Sequence, residues 1–305
     1  MEIKNWTYAE FPAFESPIPG AVEMHTTGDE VSVYYMKDVP YVTRGDLTLH
    51  MQLLLPHTIN EPDKKWPLVV LIRGSGWFKQ DMYGMIPLIS QFAARGYAIA
   101  MPEYRHSGIA AFPCHVQDAK SCIRFMRKNA ETYRIDPDQV ILWGGSSGGH
   151  TAVLAALSEG MPDLDTPDYG EFSEAVKGVV DYYGVVDITM PDGFPSTPNH
   201  QQADSPEGWF IGRLDVNQNP AIAQKTVLTN YVSADRAIPP VFIIHGSKDR
   251  TVNFAHSLKL YQKLRDCGKD VTFIRLHGAD HGGGAFWTPP VLDAVEQFIQ
   301  KCLAK

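Results

Sequence analysis

The sequence predicts an α/β protein built on a mostly parallel, doubly wound sheet. Three observations carry that expectation. Short, continuously apolar runs recur along the chain, amphipathic stretches lie between them, and a glycine-rich turn joins one run to a helical segment. Strands covered on both faces need runs that are apolar without alternation. Strands alternating with helices argue for parallel pairing through crossovers.

The elements follow in order. An N-terminal arm carrying Pro12, Pro17 and Pro19 reads as irregular. Leu47 to Leu55, LTLHMQLLL, alternates and ends at Pro56, which suggests an antiparallel strand at a sheet edge. NEPDKKWP reads as a turn. Buried strands are expected at Leu68 to Ile72, Ala98 to Met101, Val140 to Trp143, Val176 to Tyr183, Val241 to Ile244 and Val271 to Leu276. Val116, Ala119, Ile123, Met126, Ala130 and Tyr133 fall on one stripe of a helix. Val291, Val295, Phe298 and Cys302 repeat the pattern after Pro289 and Pro290, which a helix tolerates in its first turn. From Asp187 to Ala237 the rhythm stops, and Pro, Gly, Asn, Asp and Gln dominate, with Phe194, Trp209 and Phe210 among them. The chain therefore reads as one domain, 1–305, with an inserted cap at about 187–237, since a loop-rich stretch longer than about 15 residues inside a compact domain is usually functional.

Composition narrows the function. Hydrophobic residues make up 44% and charged residues 20%, as in a folded enzyme rather than a disordered chain. The formal net charge is −8 and no Lys/Arg block interleaves with aromatics, so nucleic acid is not an expected partner. The four cysteines, Cys114, Cys122, Cys267 and Cys302, form no C-x-x-C pair and no zinc spacing, and read as buried thiols with no metal. No run approaches the ~20 apolar residues of a membrane-spanning helix. The N-terminal segment lacks a basic stretch followed by an apolar one, so a cytoplasmic location is expected, with secretion open if a leader has been removed.

The chemistry centres on VILW running into GGSSGGH and then TAVLAALSEG. A serine on a strained strand-to-helix turn is held clear of its neighbours, and the helix start offers N–H groups to an anion. Two serines fit the G-x-S-x-G spacing: Ser146 between Gly144 and Gly148, and Ser147 between Gly145 and Gly149. Ser146 is the expected nucleophile, because the N–H of Ser147 then serves as an oxyanion donor. A serine needs a base and an acid behind it, in the order Ser, Asp/Glu, His. Asp249 follows the strand VFII, and His281 follows VTFIRL, in loops at the same end of a parallel sheet. Asp187 is the second choice of acid, and Asp280 lies too near His281 in sequence to hold its ring. His150, His245 and His277 read as structural. The loop after LVVLI offers the N–H groups of Ser75, Gly76 and Trp77, which with Ser147 compose an oxyanion hole in which one donor is worth about 2.7–4 kcal/mol.

On these residues the chain resembles bacterial α/β-hydrolase esterases of the feruloyl-esterase-like and acetyl-xylan-esterase-like group, related to hormone-sensitive lipase. The likeness runs from about Tyr41 to the C-terminus, through RGYAIAMPEYRHS, FPCHVQDAKSCIRFMRKNAETYRIDPDQVILWGGSSGGH, DSPEGWFIG, YVSADRAIPPVFIIHGSKDRTV and LHGADHGGG. It implies the α/β-hydrolase fold, with Ser146 as nucleophile, Asp249 as acid and His281 as base. It implies no metal or cofactor, and a small-molecule or oligosaccharide ester as the partner, of acetyl or hydroxycinnamoyl type. The chain departs from the family's HGGGW at Arg73, Gly74, Ser75, Gly76 and Trp77, where the His and the middle Gly are replaced. Trp77, Phe78, Tyr104, Trp209, Phe210 and Trp287 are candidates for the substrate walls, led by Trp77 and Trp287. The same chemistry also serves an amidase, peptidase or arylformamidase. A catalytically silent binding protein of this fold is the remaining alternative.

Overall fold

A computed structural model describes residues 3–190 and 195–305; Phe194, expected within the inserted region, lies outside the described residues. The strands are β1 (Ser32–Arg44), β2 (Leu47–His57), β3 (Trp66–Ile72), β4 (Ala98–Pro102), β5 (Ile135–Gly145), β6 (Gly178–Tyr182), β7 (Val241–Gly246) and β8 (Val271–Leu276). They form one eight-stranded sheet in the order β1-β2-β4-β3-β5-β6-β7-β8. β2 is antiparallel to both β1 and β4, and every pairing from β4 onward is parallel.

The helices are α1 (Ile86–Ala93), α2 (Cys114–Lys128), α3 (Ala130–Tyr133), α4 (Ser147–Leu157), α5 (Pro206–Phe210), α6 (Pro220–Ala223), α7 (Ala255–Asp266) and α8 (Pro289–Leu303). Successive strand residues feed opposite layers, as the pleat requires. Leu68, Val70 and Ile72 of β3 meet Val116 of α2, Leu154 of α4 and Leu260 of α7 in one core. Val69 and Leu71 join Ile89 of α1 and Val295 of α8 in the other. β3, β4, β6 and β7 are buried on both faces, which is why their sequences carry no polar alternation.

Five expectations need correction. β8, expected as a buried strand, is the open edge of the sheet, with Thr272 and Arg275 exposed and none of its residues fully buried. Leu47–His57 is the second strand, because β1 pairs along its outer side. β1 hides its alternation behind two register shifts, between Met36 and Val39 and between Pro40 and Val42, and its outer residues Tyr34, Tyr35 and Met36 are exposed. The helical stripe from Val116 to Tyr133 breaks at Asn129, whose side chain donates to the Phe125 carbonyl at 2.8 Å and separates α2 from α3. The strand expected at Val176–Tyr183 is confined to β6, Gly178–Tyr182. Cys267 is only half-buried; the other three thiols are buried.

Between β6 and β7 the described chain carries α5, α6 and two 3₁₀ turns, Gln224–Thr226 and Leu228–Tyr231. Its Phe210, Val216, Leu228 and Val232 enter the core on the α4 side. No helix among the described residues is long and apolar enough to cross a membrane.

Candidate active site

Strand β5 ends at Gly145 and α4 begins at Ser147, so Ser146 occupies the turn between them with φ 56° and ψ −130°. That conformation is sparsely populated for a residue with a Cβ and persists only where its surroundings enforce it. The enforcement is visible: the Ser146 N–H donates to the Tyr182 carbonyl at 2.9 Å, and the His150 N–H donates to the Ser146 carbonyl at 3.1 Å. Close packing completes it. A Cβ on Gly148 would collide with the Ile72 carbonyl, and one on Gly74 would lie 2.9 Å from the Ser146 Cβ and overlap the Gly145 carbonyl.

The parallel sheet carries the other two groups to the same end. His281, after β8, has its Nε2 3.0 Å from the Ser146 hydroxyl and its Nδ1 2.7 Å from Asp249 Oδ2, after β7. The carboxylate is further fixed by the N–H groups of Thr251 and Val252, each donating to Oδ1 at 2.8 Å. Burial alone would raise the Asp249 pKa, but hydrogen bonds from His245 and His281 and the nearby imidazole outweigh it and hold the carboxyl well below its usual range. The Tyr183 ring meets the His281 ring edge-on at 4.7 Å between centroids, backed by Phe286 at 4.5 Å.

The rival residues sit elsewhere. Asp187 is ion-paired with Lys259 and accepts from Thr189. Asp280 holds Arg250 and accepts from the His281 backbone N–H at 2.8 Å, which positions the loop rather than the ring. His150 is buried with Nε2 2.9 Å from the Thr226 carbonyl, and its pKa is lowered to about 4 by burial. His277 is exposed. His245 is fully buried and its Nε2 lies 3.1 Å from Asp249 Oδ2, a contact that nothing in its sequence position signalled beyond its place at a strand end.

The donor set expected for an oxyanion hole differs at one residue. The Ser75 N–H is already committed, donating to the Ser147 hydroxyl at 2.9 Å. Ser75 is thus removed from the donor set. Gly76 and Trp77 both adopt positive φ, 62° and 58°, in a sharp turn above the Ser146 elbow. Their N–H groups and that of Ser147 have no hydrogen-bond partner among the described residues. The side chain of Ser75, standing where the resemblance expects glycine, donates to the Phe78 carbonyl at 2.6 Å and lies 3.1 Å from the Tyr104 hydroxyl. It braces the loop from below. Arg73 lines the cavity, and its Nη2 lies 3.3 Å from Asp81.

A cavity of about 570 Å³ opens over Ser146 and His281, within the size range of small-molecule sites. Trp77 and Trp287 line it, Trp77 stacked on Phe210 at 4.2 Å and Trp287 on Trp143 at 5.6 Å. Tyr104 and Trp209, also expected as walls, are not in its lining. Tyr104 is buried behind Ser75, and Trp209 is covered by the Arg213 guanidinium 3.7 Å from its ring. Phe78 and Phe210 likewise serve packing. The lining that sequence reasoning missed includes Met85, Leu88, Tyr183, His200 and Glu207. Only Tyr183 carried a signal, as the residue leaving a buried strand.

Comparison with known proteins agrees with this architecture. Esterase LipQ of Mycobacterium tuberculosis is 31% identical over 243 residues, covering 78% of this chain and 56% of its own. The chain spans a little over half the length of the curated relatives it matches, from 55% to 59% for the first three. Among solved structures, a truncated carbohydrate esterase from gut microbiota superposes with a TM-score of 0.78 at 27% identity, over 92% of this chain and 99% of that one. A bifunctional GH43-CE protein of Bacteroides eggerthii gives 0.76 at 27% identity, over 91% of this chain and 38% of its own. The sheet order, the flanking helices and these likenesses make this an α/β-hydrolase fold. The BD-FAE family model matches residues 51–264, more than half the chain and both the elbow and the Asp249 loop, and the chain belongs to that family.

Proposed function

We propose that this protein is a serine carboxylic-ester hydrolase working through an acyl-enzyme. The observation that carries the reading is the chain of hydrogen-bond distances from Ser146 through His281 to Asp249 at the floor of an open cavity. His281 Nε2 takes the hydroxyl proton as Ser146 Oγ attacks the ester carbonyl, and Asp249 stabilises the imidazolium that forms. The carbonyl oxygen, now negative, lies against the N–H groups of Ser147, Gly76 and Trp77. His281 then protonates the departing alcohol. A water, deprotonated by the same imidazole, cleaves the acyl-enzyme and restores Ser146.

Acetyl or hydroxycinnamoyl esters of plant polysaccharide fragments, or similar small esters, are the substrate class we favour. The family and the likeness to a carbohydrate esterase support it. The segment from 187 to 237 acts as a cap, contributing Pro198, His200, Pro206 and Glu207 to the cavity wall. The test is hydrolysis of 4-nitrophenyl acetate by wild type, Ser146→Ala and Ser147→Ala, followed by acetate and ferulate release from xylan fragments. Abolished activity in Ser146→Ala beside reduced but measurable activity in Ser147→Ala supports the reading; a wild type inert towards every ester overturns it.

A further inference from the structure

Behind the Ser146, His281 and Asp249 chain stands a second imidazole that the mechanism above does not use. His245, at the end of β7, is completely buried. Its Nε2 lies 2.9 Å from the Val252 carbonyl and 3.1 Å from Asp249 Oδ2, and its Nδ1 lies 2.7 Å from the buried Ser257 hydroxyl of α7. A carbonyl can only accept, so Nε2 must carry a proton, and in the neutral ring Nδ1 accepts from Ser257. The tautomer is thereby fixed by three partners. The proton on Nε2 also faces the carboxylate oxygen that receives His281 Nδ1.

We propose that His245 is a positioning residue: by donating Nε2–H to the Asp249 oxygen shared with His281, it holds that oxygen in place and divides its charge between two imidazoles. The inference rests on the hydrolytic reading of Ser146, His281 and Asp249. A hydrogen bond to an ionised group favours the ionised form and draws charge from it. Asp249 then orients His281 and stays ionised, yet stabilises its imidazolium less than an undivided carboxylate would.

The surroundings leave few other charges to produce this effect. The Tyr183 ring lies 4.7 Å from His281 and 6.5 Å from His245. Asp280 beside His281 is neutralised by Arg250, and Lys248 is exposed. Behind His245 on α7, His256 is half-buried, its pKa lowered to about 3 chiefly by burial, and its Nδ1 accepts from the Val186 and Asp187 N–H groups. Phe254 packs on the His245 ring at 5.3 Å. His200 reaches the Thr251 carbonyl, on the far side of the Asp249 loop.

The test titrates the His281 imidazole by NMR, which needs no turnover, and measures kcat/KM for 4-nitrophenyl acetate against pH in the full chain. His245→Phe keeps a ring and removes the donor; His245→Gln keeps an N–H of similar reach; Ser257→Ala releases the far side of the ring. In His245→Phe the titration of His281 and the acid limb of kcat/KM should both move up by about half a pH unit or more, because its carboxylate partner is no longer shared. His245→Gln should stay near wild type, and Ser257→Ala should move in the same direction by less. An unmoved or lowered His281 titration in His245→Phe, or a His245→Gln shift as large as that of His245→Phe, overturns the proposal. If His245→Phe does not fold, Ser257→Ala decides, with no upward shift counting against. The expected variant shifts in a protein that cleaves no ester would sink the hydrolase reading and leave the positioning role standing.

Discussion

The backbone N–H of Ser75 donates to the side chain of Ser147 at 2.9 Å, tying the loop after β3 to the first turn of α4. The two serines of the elbow therefore have separate duties. Ser146 faces His281, while Ser147, 1% exposed, turns inward and fastens the oxyanion loop above it. Ser147→Ala removes that fastening but not the proposed nucleophile. We expect kcat/KM for 4-nitrophenyl acetate to fall roughly tenfold, the scale of one lost hydrogen bond with a stranded buried N–H. Steady-state kinetics beside a Ser146→Ala control would show it.

Asp249→Asn should cost about ten-thousand-fold in kcat, because the amide presents the wrong partner to His281 Nδ1 and leaves the imidazolium unstabilised. Asp187→Asn, in the acid that pairs with Lys259 away from His281, should leave turnover within roughly a factor of three and show itself in a lowered melting temperature instead. Comparable kcat losses in both variants would contradict the assignment of the acid.

Gly74→Ala probes the contact between the oxyanion loop and the elbow. Its methyl would sit 2.9 Å from the Ser146 Cβ and against the Gly145 carbonyl, so either the loop or the serine must move. A displacement of an ångström at a reacting group is worth about a hundredfold in rate. We expect a loss of that order, with KM for small acetates changing far less than kcat.

Asp181 sets a pH dependence of stability. Burial pushes its carboxyl up to about 7, against the one N–H bond from Gly184 at 3.0 Å. The folded state thus binds this proton more tightly than the unfolded chain. Stabilisation from the neutral acid is complete below the unfolded pKa near 4 and is lost as pH rises through about 7. Asp181→Asn is insensitive to this titration. Thermal midpoints between pH 4 and 8 should show wild type losing roughly 5 °C relative to the variant as pH rises. A constant difference across that range would mean Asp181 ionises without consequence.

What the sequence made legible was what is encoded locally. A strand buried on both faces must be apolar at consecutive positions, so Leu68 to Ile72 and Val241 to Ile244 announce themselves, and Ser146 and Asp249 each follow such a run, while His281 follows the edge strand β8. Two register shifts erased the alternation of β1, and its edge position was invisible for that reason. The Ser75 donor was misplaced because its fate depends on which way the Ser147 side chain turns, a matter of packing between β3 and β5. Trp209 and Tyr104 failed as walls because an aromatic in a loop does not declare whether it faces a cavity or another side chain. His245 lies four residues before Asp249, but only the return of the loop brings them together.

Ser146, Asp249 and His281 hang from the ends of β5, β7 and β8, and Ser146 and His281 are 135 residues apart in sequence. No fragment of the chain holds all three without β6 and β7 paired between them. Contacts of such long sequence separation form late, after loop-closure entropy has been met. During refolding, recovery of hydrolysis would mark the closing of the sheet's far half rather than collapse, and helical signal should return before turnover does. Truncation inside α8, which packs on the far side of β6, would silence the chemistry without touching one reacting atom.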